Sequence, residues 1–344
     1  MSKAISGGSN GVRSWSKLSV PDNYAPVQDL CLITSYFNWN KYQTKRKNFD
    51  LFLNTLKRSG LQFLIVECAL AGSQYELKPA GNVIQVMSNS VLWQKERLLN
   101  IALRHVPEKF TKVAWIDGDV IFTNSTWAVE TSSQLERYSV VQLFDSAVRL
   151  PPGSFSYKGI GDWYRSFGYA YSSSPDVLLN GASAEHGHSG FAWAARRECL
   201  DTLGFYDGCI AGNGDHAMAH AFCGDWESPC VYSIFGASGP MHEHFREWCE
   251  VIYREVGGDM GYVPGCLLHL WHGNVANRRY QDRCSQLLDV GFNPYTDLFR
   301  NRMGCWEIAA HRERLRAWEE SYFASRIEDA SEGSAEVGSA IAGF

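Results

Sequence analysis

No run of about 18 apolar residues occurs in this 344-residue chain, so no transmembrane helix is expected. The opening MSKAISGGSNGVRSWSKLS lacks the apolar core of an export signal, and a cytoplasmic protein is the expectation. Positive charge is not in excess: 32 Lys and Arg face 37 Asp and Glu, a net charge of −5. That excludes a global basic field for nucleic acid and leaves room only for a local basic groove. The ten cysteines form no CxxC pair, and Cys31, Cys68 and Cys266 sit inside apolar runs, so reduced buried thiols are expected. There is no internal repeat. Gly159-Ile160-Gly161 lacks the third glycine of a dinucleotide fingerprint, and His269-Leu270-Trp271-His272 lacks the spacing and the glutamate of a helical metalloprotease motif.

What is present is ordinary globular material, 45% hydrophobic and 20% charged, enough for one sizeable core. Residues 1–25 are rich in Ser and Gly and read as a flexible segment; 326–344 are small and acidic and read as a disordered tail. Between them, strands at 29–34, 61–66, 83–86 and 112–116 alternate with helices at 47–58 and 92–103. This βαβ rhythm predicts an α/β fold with a mixed, mainly parallel sheet flanked by helices, whose ligands lie at the carboxyl ends of the strands. Later the pattern loosens. A helix is expected at 127–137, a strand at 138–144, an irregular loop or lid at 151–180, a strand at 189–195, helices at 197–203, 215–222 and 242–256, and a last strand at 267–272.

The stretch KVAWIDGDVIFTN at 112–124 drives an apolar strand into Asp117 and Asp119 and then resumes as Val120-Ile121-Phe122. Carboxylates are costly to desolvate unless something pairs with them. Two of them with period-two spacing share a side of the strand, and Gly118 lets the chain turn and a ligand come close. Hard divalent ions such as Mg²⁺ or Mn²⁺ suit such a site; the plain alternative is a solvated turn. Gly212-Asn213-Gly214-Asp215 enters a helix, where Asp215 is either a general base or a cap. His272, at the end of the last strand, can complete a metal site, with alternation placing His269 on the opposite face. Lys95 and Arg97 on one helix, and Arg278 and Arg279 after the last strand, are cations that can reach phosphates.

The order of these pieces, Asp117-Gly118-Asp119, then Gly190-Phe191-Ala192-Trp193, then Gly212-Asn213-Gly214-Asp215, then His272, resembles the GT-A class of nucleotide-sugar glycosyltransferases over about residues 28–285. The second half is most similar to the acceptor regions of beta-1,4-galactosyltransferases and polypeptide N-acetylgalactosaminyltransferases, as a soluble bacterial or viral member. The resemblance implies a single Rossmann-like GT-A catalytic domain. Its nucleotide-sugar half is 26–124, its acceptor half 125–290, and a C-terminal helical extension covers 291–325. It implies Asp117, Asp119 and His272 as metal ligands for Mn²⁺ or Mg²⁺, and Asp215 as base. It places Asp117, Glu67, Arg46, Lys95, Arg97 and Gly190, with Lys45, around a UDP-sugar donor. The run of acids that such enzymes carry after the glycines is here Asp215-His216, so the base is Asp215 or a neighbour.

The implied reaction transfers a sugar to an acceptor hydroxyl on a glycan, a glycoconjugate or a modified nucleic-acid base, with inversion at the anomeric carbon. Retention on the same fold, or sugar-phosphate nucleotidyl transfer, are the alternatives; the segment 34–38 lacks the Gly-rich basic loop of the latter. A non-catalytic carbohydrate-binding protein would fit the 12 tryptophans but not acids that end a buried strand.

Overall fold

Apolar strands and amphipathic helices alternate as the sequence predicts. The computed structural model describes residues 17–175, 186–280 and 282–329. Its first half carries β1 (Leu30–Phe37), β2 (Gln62–Leu70), β3 (Val83–Ser88) and β4 (Lys112–Ile116). Then come β5 (Val120–Phe122), β6 (Val140–Gln142), β7 (Ser146–Arg149), β8 (Asp162–Arg165), β9 (Ala192–Arg196), β10 (Met260–Tyr262) and β11 (Cys266–His269). A hairpin of β12 (Leu298–Arg300) and β13 (Trp306–Ile308) follows.

The main sheet has the order β10-β6-β9-β4-β1-β2-β3, and only β9 runs against its neighbours. The expected mixed, mainly parallel sheet flanked by helices is therefore present. Helices Gln43–Ser59 and Lys95–Leu103 make the crossovers from β1 to β2 and from β3 to β4. Every residue of β4 is buried, and Trp115 stacks on its register partner Trp193 of β9 with ring centroids 6.5 Å apart. Cross-strand aromatic pairs of this kind pin register. Strand order reverses between β1 and β4, the place where open α/β sheets bind ligands. A second sheet, β5-β11-β7-β8, starts directly after the turn Asp117-Gly118-Asp119, which carries the chain from one sheet to the other.

Three departures from the sequence reading follow from packing. The expected loop 151–180 contains β8, paired to β7, and helix Phe167–Ser173, capped where Ser166 Oγ accepts from the Tyr169 N–H at 3.1 Å; residues 176–180 of that loop lie outside the described residues. Within the expected flexible segment 1–25, residues 1–16 lie outside the described residues. Of the rest, Leu18 is buried and exchanges backbone hydrogen bonds with Tyr157, and the Tyr24 hydroxyl donates to the Phe122 carbonyl at 3.0 Å. At the other end the expected tail from 326 begins inside the fold: Arg326 and Glu328 are buried, and Asp329 accepts from the N–H groups of Gln43 and Thr44 at 3.1 and 2.7 Å. A distant carboxylate thus satisfies the open end of helix Gln43–Ser59. Residues 330–344 lie outside the described residues. Among the described residues no cysteine is in a disulfide, and no helix is long and apolar enough to cross a membrane.

Candidate functional site

β4 ends at Ile116, and the turn after it is held on three sides. Asp117 N–H donates to the Phe191 carbonyl at 2.8 Å, and the Asp119 carbonyl accepts from Leu270 N–H at 2.8 Å. A Cβ on Gly118 would lie 2.3 Å from Cδ2 of Phe49, so glycine is required there because helix Gln43–Ser59 packs its Phe49 ring directly onto the turn. Asp119 Oδ2 is 2.9 Å from His272 Nε2 and 3.7 Å from His269 Nε2, while its Oδ1 is buried with no partner among the described residues. Donor atoms of Asp119, His269 and His272 lie within 4.8 Å of one another.

This triad fits a divalent cation. Arg278 Nη2 stands 2.7 Å from the same His272 Nε2. A ring nitrogen that accepts from a guanidinium has no proton to offer Asp119, so two electron-rich atoms face each other at 2.9 Å. One carboxylate and two imidazoles form a donor set for Mn²⁺ more than for Mg²⁺. Burial pushes His269 down to about 3, the neutral, ligating form.

Beside the triad lies a charge hub. Lys95, at the start of helix Lys95–Leu103, is buried, with Nζ 2.5 Å from Asp117 Oδ1 and 2.6 Å from Asp215 Oδ2. Burial opposes the ammonium, yet Asp117, Asp215 and Glu96 together hold its pKa above the ordinary lysine value. Burial, then the Asp215 and Asp119 charges, push Asp117 up to about 7 against the pull of Lys95. Burial likewise pushes Glu96 up to about 8. Helix Gly214–Phe222 starts after Asn213 in the left-handed region, φ 77°, and Asp215 in its first turn points to Lys95. A Cβ on Gly214 would sit 2.2 Å from Glu96 Oε1, which explains the second glycine of the Gly-Asn-Gly-Asp turn. Gly190 is the wall opposite: a Cβ there would lie 3.4 Å from Asp215 Oδ2.

The structure thus brings Asp117, Asp119, His272, Lys95, Asp215 and Gly190 together. Asp117 is not one of the three clustered donors; its Oδ1 is on Lys95. His269 is, and the sequence reading missed it. β11 stops at His269, so the alternation that would have turned the two rings apart ends there, and their centroids are 5.2 Å apart. Glu328 was missed as well: its Oε2 is 3.6 Å from His272 Nδ1, and its Oε1 pairs with Arg326 at 2.7 Å. Phe191 carries a left-handed φ of 82° and is sandwiched between His188 and His269, at 3.9 and 4.7 Å between centroids. Such a conformation costs about 1–3 kcal/mol in a non-glycine residue and persists where packing over-determines it.

Other expected residues have different work. Arg97 pairs with Asp207 at 2.9 Å and lies over the Trp306 ring, away from Lys95's partners. Glu67 is saturated: it accepts from the N–H groups of Glu76 and Leu77 and from Gln85 Nε2, fastening the loop after β2. It does line a small recess with Tyr36, Asn38 and Glu76 at the carboxyl ends of β1 and β2. Arg46 binds Asp50 at 2.7 Å and the Glu76 carbonyl. Lys45 lies over the Phe37 ring, within the field of Glu328 and Asp119. Arg278 and Arg283 are buried, and with Arg149 they outweigh burial to bring the Tyr280 hydroxyl down to about 7. The triad therefore borders a strongly positive patch.

The chain is similar, at TM-scores below 0.5, to solved structures of sugar transferases. The chain covers 85% of itself and 99% of a Drosophila beta-1,4-galactosyltransferase 7 variant in complex with manganese, UDP-Gal and xylobiose, at 11% identity and a TM-score of 0.39. With the catalytic domain of that galactosyltransferase bound to xylobiose the figures are 69% of this chain, 65% of that one, just under two thirds of its length, 12% and 0.31. With glucosyl-3-phosphoglycerate synthase from Mycobacterium tuberculosis, in complex with Mn²⁺, UDP-glucose and phosphoglyceric acid, they are 81%, 86%, 12% and 0.38. No protein-family model and no curated protein matches the sequence.

Proposed function

We propose that this chain is a metal-dependent glycosyltransferase that moves a sugar from a UDP-sugar to an acceptor hydroxyl on a glycan or glycoconjugate, with inversion. The observation that carries the reading is the triad Asp119, His269 and His272 set beside buried cations and a second carboxylate, Asp215. Metal ligands alone would suit many enzymes. Metal ligands next to Arg278 and Lys45 suit a diphosphate, which needs cations on more than one side.

Asp119, His269 and His272 would hold Mn²⁺ in preference to Mg²⁺. When bound, such an ion offsets the negative charge that develops on the leaving diphosphate. Arg278 and Lys45 grip the phosphate oxygens from the protein side. Asp215 takes the acceptor proton as the acceptor oxygen bonds to the sugar's C1; the bond from C1 to the phosphate oxygen breaks and UDP departs. Lys95 keeps Asp215 and Asp117 fixed by binding one oxygen of each. Asp215 Oδ1, which is buried with no partner among the described residues, is the oxygen left to act as base.

The test is a thermal-shift screen of nucleotide sugars with and without Mn²⁺. A ligand at 100 times its dissociation constant adds about 2.7 kcal/mol of stability. The reading expects a UDP-sugar to raise the melting temperature only with Mn²⁺ present, in wild type and not in Asp119→Ala. Stabilisation by no nucleotide sugar, or by all nucleotides equally without metal, overturns it.

A further inference from the structure

A second cluster lies outside this site. His186, His216, His220 and Cys230 place one ligand atom each within 4.8 Å of the others. His216 and His220 are one helical turn apart on helix Gly214–Phe222, so they share a face. His186 arrives from the segment before β9, and Cys230 from the first turn of helix Pro229–Phe235. The three imidazoles pack ring to ring at 4.7–5.2 Å between centroids. His186, His220 and Cys230 are almost wholly buried.

Ring hydrogen bonding shows which nitrogens point inward. His186 Nδ1 lies 2.7 Å from the Gly187 carbonyl, and His220 Nδ1 lies 2.7 Å from Asp225 Oδ2. Both acceptors require the proton on Nδ1, which leaves the lone pair on Nε2. The Nε2 atoms of His186, His216 and His220 are all buried with no hydrogen-bond partner among the described residues. A stack of histidines that merely filled the core would not leave three unpaired ring nitrogens together, two of them acceptors, since each loses its water and gains nothing. Asp225 is itself fixed by the N–H groups of Glu227 and Ser228, and Ser228 caps the helix that bears Cys230. A carboxylate that orients a histidine from behind is the usual support of a metal ligand.

We propose that His186, His216, His220 and Cys230 form a closed, four-ligand site for a structural transition-metal ion, zinc by ligand type, distinct from the Asp119 triad. Three imidazoles and one thiolate complete a tetrahedron and leave no open position for substrate, so the ion's work is to fix structure. Binding displaces the Cys230 proton to solvent as the sulfur–metal bond forms. Hard ions such as Mg²⁺ are disfavoured by the sulfur and nitrogen donors. The ion would clip three elements together: helix Gly214–Phe222, which carries Asp215, the segment that leads to Gly190, and helix Pro229–Phe235.

The test uses the untagged full chain. After exhaustive dialysis against a chelator, metal analysis is expected to find one zinc ion per chain, retained in Asp119→Ala and absent from His220→Ala. The Co²⁺-substituted protein is expected to show tetrahedral visible bands and a thiolate-to-cobalt charge-transfer band, and Cys230→Ser is expected to lose the latter while near-ultraviolet circular dichroism confirms its fold. If His220→Ala does not fold, the Cys230→Ser spectrum decides alone. A wild-type chain that binds no ion even after titration with Zn²⁺, or a cobalt spectrum that Cys230→Ser leaves unchanged, overturns the proposal.

Discussion

Two histidine clusters meet the short segment 186–191, one at each end, and they differ in what surrounds them. At its end, Phe191 packs on His269, whose triad with Asp119 and His272 is flanked by Arg278, Lys45 and Glu328 and adjoins the hub of Lys95 with Asp117 and Asp215. At its start, His186 joins His216, His220 and Cys230, where the Asp225 carboxylate sits behind a ring. The first cluster has charge of both signs around three donors, with room in the ligand set for something that is not protein. The second closes on itself with four. Charge and an incomplete donor set suit a site that must bind, turn over and release; a dry, complete set suits one that stays put.

The largest expected effect separates the two. Asp119→Ala should lower metal-dependent turnover of a UDP-sugar roughly 1,000-fold, because several kcal/mol of charge stabilisation go with the ion. Equal turnover in the variant, measured as UDP release, breaks the distinction. Next, Asp215→Asn should lower kcat about 100- to 10,000-fold, as loss of a general base does, while UDP and Mn²⁺ still bind. A variant that loses binding and keeps kcat would make Asp215 a positioning residue.

Lys95→Met tests the hub as structure. It strands Asp117 and Asp215 in a buried site, at a cost of about 3–5 kcal/mol in denaturant unfolding. A loss below about 1 kcal/mol would mean that solvent screens the hub as it screens surface ion pairs. The smallest effect concerns pH. Burial holds Glu96 at about 8, above the roughly 4.3 of an unfolded glutamate. Between those values the folded state binds more protons than the unfolded chain, so this group's contribution to stability falls as pH rises. Glu96→Gln removes the titration and should flatten the decline in melting temperature over that interval. Parallel profiles for the two proteins would place Glu96 in water.

Much of the fold was legible because burial writes itself into apolar periodicity. The strand 112–116 was read to the residue, since all five of its side chains are buried and an acid follows. The site was legible where the signal was local: Asp119 and Asp215 each stand beside glycines that a close neighbour requires. It was not legible where partners come from afar. Alternation separated His269 from His272, but the strand ends between them. Arg97 sits two residues from Lys95, about 200° round the helix, and so faces Asp207 instead. Glu328 belongs to a stretch whose small acidic composition reads as tail, yet it pairs with Arg326 and lies beside His272 Nδ1. The four residues of the second cluster are spread over 186–230, and only the His216–His220 spacing hints at them.

The central claim is that the Asp119 triad holds the ion that grips the diphosphate. Titration of Mn²⁺ followed by electron paramagnetic resonance reads it most directly, because the free ion's signal is lost on binding. The account predicts one Mn²⁺ per wild-type chain, bound more tightly with UDP present, and no such binding in Asp119→Asn or in the double variant His269→Ala/His272→Ala. Undiminished, UDP-responsive Mn²⁺ binding in those variants would contradict it.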